Sequence, residues 1–248
     1  MNVRLDPRLW LQRLGLALLP PRCLVCAQPG SDGLDLCAWC RAELPWNRDG
    51  CRRCALPLAA GADCPRCLHA PPPYLRAQAA FVYRFPVDRQ LPRFKFHADL
   101  AAGALMATLL HWSLDPEEAP QALLPVPLHR ARLRQRGYDQ ALELAKSLSR
   151  AAGVPLLAQR LRRARRTQAQ TQLGAVARRS NVLGAFTLAT GPPLPAHVAL
   201  VDDVLTTGAT ASECAQLLLA AGVERVDVWA VAVAPAPTPS SPLDGAAV

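Results

Sequence analysis

Two adjacent carboxylates followed by a hydroxyl-rich turn make residues 198–210, VALVDDVLTTGAT, the stretch best equipped for chemistry. Val198 to Val201 read as a buried strand, and Asp202 and Asp203 fall at its carboxyl end. Ligands of open α/β sheets bind at that edge. Thr206, Thr207, Gly208, Ala209 and Thr210 then lead into a helical pattern. Such a turn offers backbone N–H groups, hydroxyls and the positive end of a helix, which together suit a phosphate. Gly208 lets the main chain approach an anion where a Cβ would obstruct it. The two acids suit vicinal hydroxyls, which donate hydrogen bonds to carboxylates. A sugar phosphate fits the whole constellation. A bare acid pair after a strand also occurs at metal sites, and a capped helix with two solvated acids is the bland alternative. The attached TTGAT turn is what favours the ligand site.

Eight of the nine cysteines form four C-x-x-C pairs: Cys23/Cys26, Cys37/Cys40, Cys51/Cys54 and Cys64/Cys67. The set repeats, with Cys51 lying 28 positions after Cys23 and Cys64 lying 27 after Cys37. Two intervening residues let a tight knuckle turn both thiolates toward one ion, and a second knuckle completes a tetrahedral sulfur site of the structural zinc type. Two Zn²⁺ sites are therefore expected. A redox C-x-x-C normally occurs once, before a helix, and iron–sulfur runs are spaced differently. Sequential pairing follows from the repeat, and crossed pairing stays open. So short an Arg-, Pro- and Gly-rich segment holds little core, so metal supplies most of its folding energy. Cys214 sits within a helical pattern and reads as a buried small hydrophobe.

The elements that must position these groups alternate. Strands are expected at 79–83, 122–126, 154–157, 182–188, 197–201 and 225–234. Helices are expected at 100–112, 139–152 and 209–221, with a basic loop over 128–136. Apolar strands alternating with helices imply a mostly parallel sheet covered on both faces. Pro71-Pro72-Pro73 marks a linker, and residues 237–248 read as a disordered tail. The expected division is an amphipathic segment over 1–21, a double zinc ribbon over 22–70, an α/β domain over 74–236 and the tail. The N-terminal apolar run is short, ends at Pro20-Pro21 and lacks a small-residue cleavage site, so a helix is preferred to a signal peptide. A cytoplasmic location is expected, where cysteine clusters point to metal.

Composition narrows the classes further. The 248 residues are 51% apolar and 19% charged, which excludes a largely disordered chain. No stretch approaches the roughly 20 uninterrupted apolar residues of a spanning helix. The formal charge is +9, with only Lys95 and Lys146 as lysines. It is localised: residues 129–179 hold 13 Lys/Arg against Asp139 and Glu143, an excess of +11. Two filled four-thiolate sites at about −2 each would lower the total to about +5. The arginine band suits a diphosphate, and its surplus leaves polynucleotide phosphates open as a further partner.

Residues 198–210 closely resemble the 5-phosphoribosyl-1-pyrophosphate motif of type I phosphoribosyltransferases. Leu124-Pro125-Val126-Pro127-Leu128-His129 and Arg136-Gly137-Tyr138-Asp139-Gln140-Ala141 resemble PVPLH…RGFNQA of the competence protein ComF family. Lys95-Phe96-His97-Ala98-Asp99 resembles its KFxGD segment, and Thr167, Gln170, Leu173, Arg178 and Asn181 its T-x-x-Q-x-x-L…R-x-x-N segment. Asp139 stands where Asn is usual and Ala98 where Gly is usual. The resemblance implies a parallel-sheet type I phosphoribosyltransferase fold with a small N-terminal zinc-ribbon domain. It also implies a phosphoribosyl pyrophosphate site with Mg²⁺ and an association with DNA uptake or utilisation. Single-stranded DNA and DNA-uptake proteins are then partners to consider. Under it Asp202, Asp203 and Arg136 are the catalytic candidates. Thr206 to Thr210 would bind the 5-phosphate, Leu128, His129 and Arg130 the pyrophosphate, and residues 162–172 would form a closing loop. The acceptor is not indicated. A non-catalytic sugar-phosphate sensor or a DNA- or protein-binding adaptor on the same fold is the alternative.

Overall fold

The computed structural model describes residues 20–59, 64–165 and 183–235. The expected N-terminal helix, the tail, and Thr167, Gln170, Leu173, Arg178 and Asn181 lie outside the described residues.

Four parallel strands form the central sheet: β1 (Arg76–Val82), β2 (Ala122–Pro125), β5 (His197–Leu205) and β6 (Arg225–Val233), in the order β1-β6-β5-β2. Leu156 adds a single parallel bridge outside β2. The expected strand at 154–157 shrinks to this bridge because Pro155 can only accept, its carbonyl taking the Leu123 N–H at 2.8 Å. The expected strand at 182–188 is β4 (Phe186–Leu188), and it pairs antiparallel with β3 (Leu161–Arg163), apart from the main sheet.

Side chains alternate across the sheet and build two cores. Ala199, Val201 and Val231 face α3 (Val87–His97), α4 (Leu100–Ser113) and α6 (Gln140–Ala152). Val198, Leu200, Val228 and Ala230 face the other way, toward α7 (Ala209–Ala220), where Cys214 and Leu218 are fully buried as the sequence suggests. From β2 the chain passes through α6 to Leu156, away from β5. From β5 it passes through α7 to β6, in the opposite direction. The neighbours β2 and β5 thus flank the point where strand order reverses.

The cysteine-rich segment, with short helices α1 (Ala38–Ala42) and α2 (Pro65–His69), straddles the edge strand β1. Its first half packs Leu36, Cys40 and Leu44 into the α3–α4 core. Between the halves, Trp46 bridges Phe81, Asn47 N–H donates to Ala80 O at 2.9 Å, and Val82 N–H donates to Pro45 O at 2.8 Å. Backbone partners that an edge strand would otherwise lack come from the ribbon.

Helix α3 ends at Ala98, which holds φ 51° and ψ 31° and donates its N–H to Arg93 O. The left-handed turn therefore forms although Ala replaces the expected Gly, with a Cβ penalty of about 1–2 kcal/mol. Asp99 then caps α4 by accepting from Ala102 N–H at 3.0 Å, and it pairs with Arg93 at 2.7 Å. Ala98→Gly is expected to stabilise the fold by about 1 kcal/mol, raising Tm by about 2–4 °C in a thermal melt.

Candidate functional site

Asp202 and Asp203 lie within β5, not beyond it as expected, because β5 runs on to Leu205 beside β6. Strand β2 ends one step earlier, with Pro125 opposite Val201, so the acids border the gap left where β2 stops. Asp203 is 5% exposed, and its Oδ2 lies 2.9 Å from Lys95 Nζ. Burial works against the Lys95 charge, but Asp203, with Asp202 behind it, more than offsets this and holds the ammonium pKa above its usual value. Asp202 Oδ1 accepts the Asp203 N–H at 2.8 Å. Its pKa is raised well above the ordinary carboxylate value, first by burial and then by Asp203.

Downstream, Gly208 takes φ +75° and opens α7. A Cβ there would approach Tyr74 Oη to 2.9 Å, so both backbone sign and space call for glycine. Arg66, between the knuckle residues Cys64 and Cys67, donates from Nη2 to Thr207 O at 2.9 Å and from Nη1 to Thr206 O at 3.4 Å. Thr207 Oγ1 accepts from Ala209 N–H at 3.4 Å. The turn is thus backed by the ribbon.

The expected basic loop over 128–136 is instead mostly a helix, α5 (Arg130–Arg136). His129 caps it by accepting from Ala131 N–H at 3.2 Å, and Gly137 stops it at φ +84°. No apolar stripe announces this helix, since none of its residues is buried. Leu128 N–H donates at 3.0 Å to Asp139, whose other carboxylate oxygen caps α6 through Ala141 and Leu142 N–H groups. Asp139 therefore ties the end of the β2 loop to α6 while burial raises its pKa. Arg136 bonds Gln140 and lies 5.0 Å from the centroid of the Phe96 ring, next to Lys95 in sequence. Arg130 opens α5. Arg163, in the expected closing loop, is placed on β3, 5.2 Å from the Phe186 ring centroid. Its pKa is lowered by burial and by Arg132, and Asp202 acts in the opposite direction. The structure thus gathers Asp202, Asp203, Lys95 and the phosphate-type turn at the reversal point. Arg136 stacks on Phe96, the neighbour of Lys95 in sequence, and bonds Gln140. Sequence reasoning assigned no role to Lys95 and missed Arg66 and Tyr74, because no local pattern links these residues to partners 108 to 141 positions along the chain.

The ribbon holds two sulfur clusters, Cys23/Cys26/Cys37/Cys40 and Cys51/Cys54/Cys64/Cys67, each with all Sγ atoms within 4.8 Å of one another. The pairing is sequential, and the crossed arrangement is excluded. Sγ separations of 3.7 Å for Cys26–Cys37, 3.6 Å for Cys54–Cys64 and 3.8 Å for Cys51–Cys67 match the edge of a tetrahedron with 2.3 Å bonds, about 3.8 Å. Both clusters therefore fit structural zinc. Burial opposes ionisation of Cys23, yet N–H groups of Cys37, Cys26 and Val25 bring its pKa down to about 6. Burial pushes Cys54 up to about 11 and Cys40 and Cys67 higher still. A divalent cation removes that opposition and deprotonates all four thiols of a site. Among the described residues no third His, Cys, Asp or Glu joins Asp202 and Asp203 in a cluster able to hold a metal. No helix among them is long and apolar enough to cross a membrane.

Comparison with known proteins agrees with this layout. Residues 15–68 match the double zinc ribbon domain. Competence protein F of Haemophilus influenzae is 35% identical over 206 residues, covering 79% of this chain and 90% of that protein. DNA utilization protein YhgH of Escherichia coli O157:H7 is 32% identical over 219 residues, covering 85% and 96%. Competence protein ComFC of Streptococcus pneumoniae is 28% identical over 157 residues, covering 62% and 66%. With identity at this level across nearly the full length of such relatives, the chain belongs to the competence protein F family that includes the YhgH proteins.

Proposed function

We propose that the chain binds 5-phosphoribosyl-1-pyrophosphate together with Mg²⁺ at the carboxyl ends of β2 and β5, as a phosphoribosyltransferase-type domain over 74–236 carrying a double zinc ribbon over 22–70. The observation that carries the reading is the Asp202–Asp203 pair at the strand-order reversal, joined to the Gly208 turn at the start of α7. In this reading the N–H groups of the turn and the positive end of α7 take the 5-phosphate. Asp202 and Asp203 accept hydrogen bonds from the ribose hydroxyls. Arg130, Arg132 and Arg136 on α5, with His129 and the Leu128 loop, face the diphosphate, for which the planar guanidinium is suited. Mg²⁺ usually keeps one or two carboxylates and takes its remaining oxygens from phosphates and water, so an acid pair without a third protein ligand suits an ion that arrives with the diphosphate. When bound, it neutralises charge building on the leaving group. The chain's own task is positioning and charge complementarity around an oxocarbenium-like centre.

The names of its relatives support an association with DNA uptake or utilisation, and in this reading single-stranded DNA or uptake proteins are the partners. Thiolate zinc sites suit the reducing cytoplasm. A second reading, a sugar-phosphate sensor without turnover, is favoured by Lys95 occupying Asp203 directly. A thermal-shift panel tests the binding step. Phosphoribosyl pyrophosphate with Mg²⁺ is expected to raise Tm more than ribose 5-phosphate or pyrophosphate alone, and equal shifts would remove the assignment. Pyrophosphate release across a panel of acceptors separates transferase from sensor.

A further inference from the structure

We propose that Arg66 is a positioning residue through which the second zinc knuckle sets the phosphate-binding turn; this rests on the reading of that turn given above. The peptide unit is planar, and its C=O and N–H point in opposite directions. The Thr206 carbonyl shares a plane with the Thr207 N–H, and the Thr207 carbonyl shares one with the Gly208 N–H. Arg66 takes both carbonyls from behind, at 3.4 and 2.9 Å. It thereby turns the Thr207 and Gly208 N–H groups to the opposite, ligand-facing side. Neither N–H donates to another described backbone group, so both remain free for an anion. A guanidinium fits because its planar fork places two donors on two neighbouring oxygens at once.

The strut is needed because the back of the turn is not filled by core. A cavity of about 620 Å³ opens between the second knuckle and α7, lined by Arg66, His69, Tyr74, Thr207 and Ser212. Arg66 and Tyr74 Oη are the groups that reach Gly208 from this side. Arg66 in turn is fixed by its place between Cys64 and Cys67, two ligands of the second sulfur cluster. The chain of support runs from metal to knuckle to guanidinium to peptide planes. Among the described residues the first cluster has no such route: its half of the ribbon meets α3, where Gln90 and Arg93 donate to Leu24 O.

The test uses the full zinc-loaded chain with Arg66→Ala and Arg66→Lys. Zinc content is expected to stay at two per chain. Affinity for phosphoribosyl pyrophosphate with Mg²⁺ is expected to fall about 10-fold in Arg66→Ala, from loss of charge-assisted bonds to the turn. Arg66→Lys, with a point charge able to serve one carbonyl well, is expected to fall between Arg66→Ala and the parent. Amide hydrogen exchange at residues 206–210, measured without ligand, is expected to quicken in the same order. Parental affinity and exchange in Arg66→Ala would overturn the proposal, and if that variant does not fold, parental values in Arg66→Lys do so. Because exchange needs no ligand, quickened exchange in Arg66→Ala together with no phosphoribosyl pyrophosphate binding by the parent chain would overturn the ligand assignment and leave the strut standing.

Discussion

Removing zinc from the folded chain with a strong chelator is expected to lower Tm by on the order of 10 °C or more and to open residues 20–59 and 64–73 to protease. The segment has little apolar material of its own. Among the described residues its second half builds its own buried cluster from Cys54, Leu56 and Cys64, three residues that are themselves ligands or lie between them. Apparent binding energies of structural zinc run to about 10–16 kcal/mol in small zinc-dependent folds, far beyond what so small a cluster contributes. The effect spreads, because the first half supplies Leu36 and Leu44 to the α3–α4 core and the second half backs the Thr206–Gly208 turn. Metal analysis is expected to give two zinc ions per chain, falling to one in Cys26→Ser, since the sulfur clusters do not share ligands. Loss of both ions in Cys26→Ser would contradict independent sites.

Asparagine in place of either aspartate is expected to abolish sugar-phosphate binding while moving stability in opposite directions. Asp202 has its pKa raised in the fold, so its ionised form is disfavoured there. For a carboxyl the sign is then destabilising: the cost is absent below the unfolded-state pKa and grows as pH rises toward the folded value. Asp202→Asn keeps the oxygen that accepts the Asp203 N–H and removes the charge. It should raise Tm at pH 7, with the gain shrinking as pH falls toward the unfolded-state carboxyl range. Asp203→Asn acts the other way because it leaves Lys95 charged, largely buried and without its partner. A cost of about 2 kcal/mol is expected, below the roughly 3–5 kcal/mol of a fully buried pair, since Lys95 keeps some solvent contact. Thermal melts at pH 5 and 7 check both signs. A destabilised Asp202→Asn would refute the burial argument.

The parts of the fold that sequence made legible are those with strong local periodicity. Strands β2, β5 and β6 read as apolar runs, and α4, α6 and α7 carry caps or stops at their ends, including Asp99, Asp139 and Gly153. Helix α3 was hidden by Pro92, which removes a backbone donor from its interior. It stands because Val87, Leu91 and Phe94 are fully buried against the sheet and α4, a tertiary gain with no sequence marker. Helix α5 was hidden for another reason: RARLRQR has no apolar stripe, and the His129 cap and left-handed Gly137 define it. At the site, the carboxylates, the turn and the cysteine sets were visible because each is a contiguous motif. The Lys95–Asp203 pair, the Arg66 strut and the Tyr74 contact join residues far apart in the chain, and only the fold brings them together.

The central claim is that the acids and the turn form one site for a phosphoribosyl diphosphate. Isothermal titration of phosphoribosyl pyrophosphate into the zinc-loaded protein, with and without Mg²⁺, measures this directly when run beside Asp202→Asn, the variant expected to fold at least as well as the parent. The account predicts saturable Mg²⁺-dependent binding at one site per chain, lost in Asp202→Asn. Equal binding by both proteins, or heat without saturation in the parent, would contradict it.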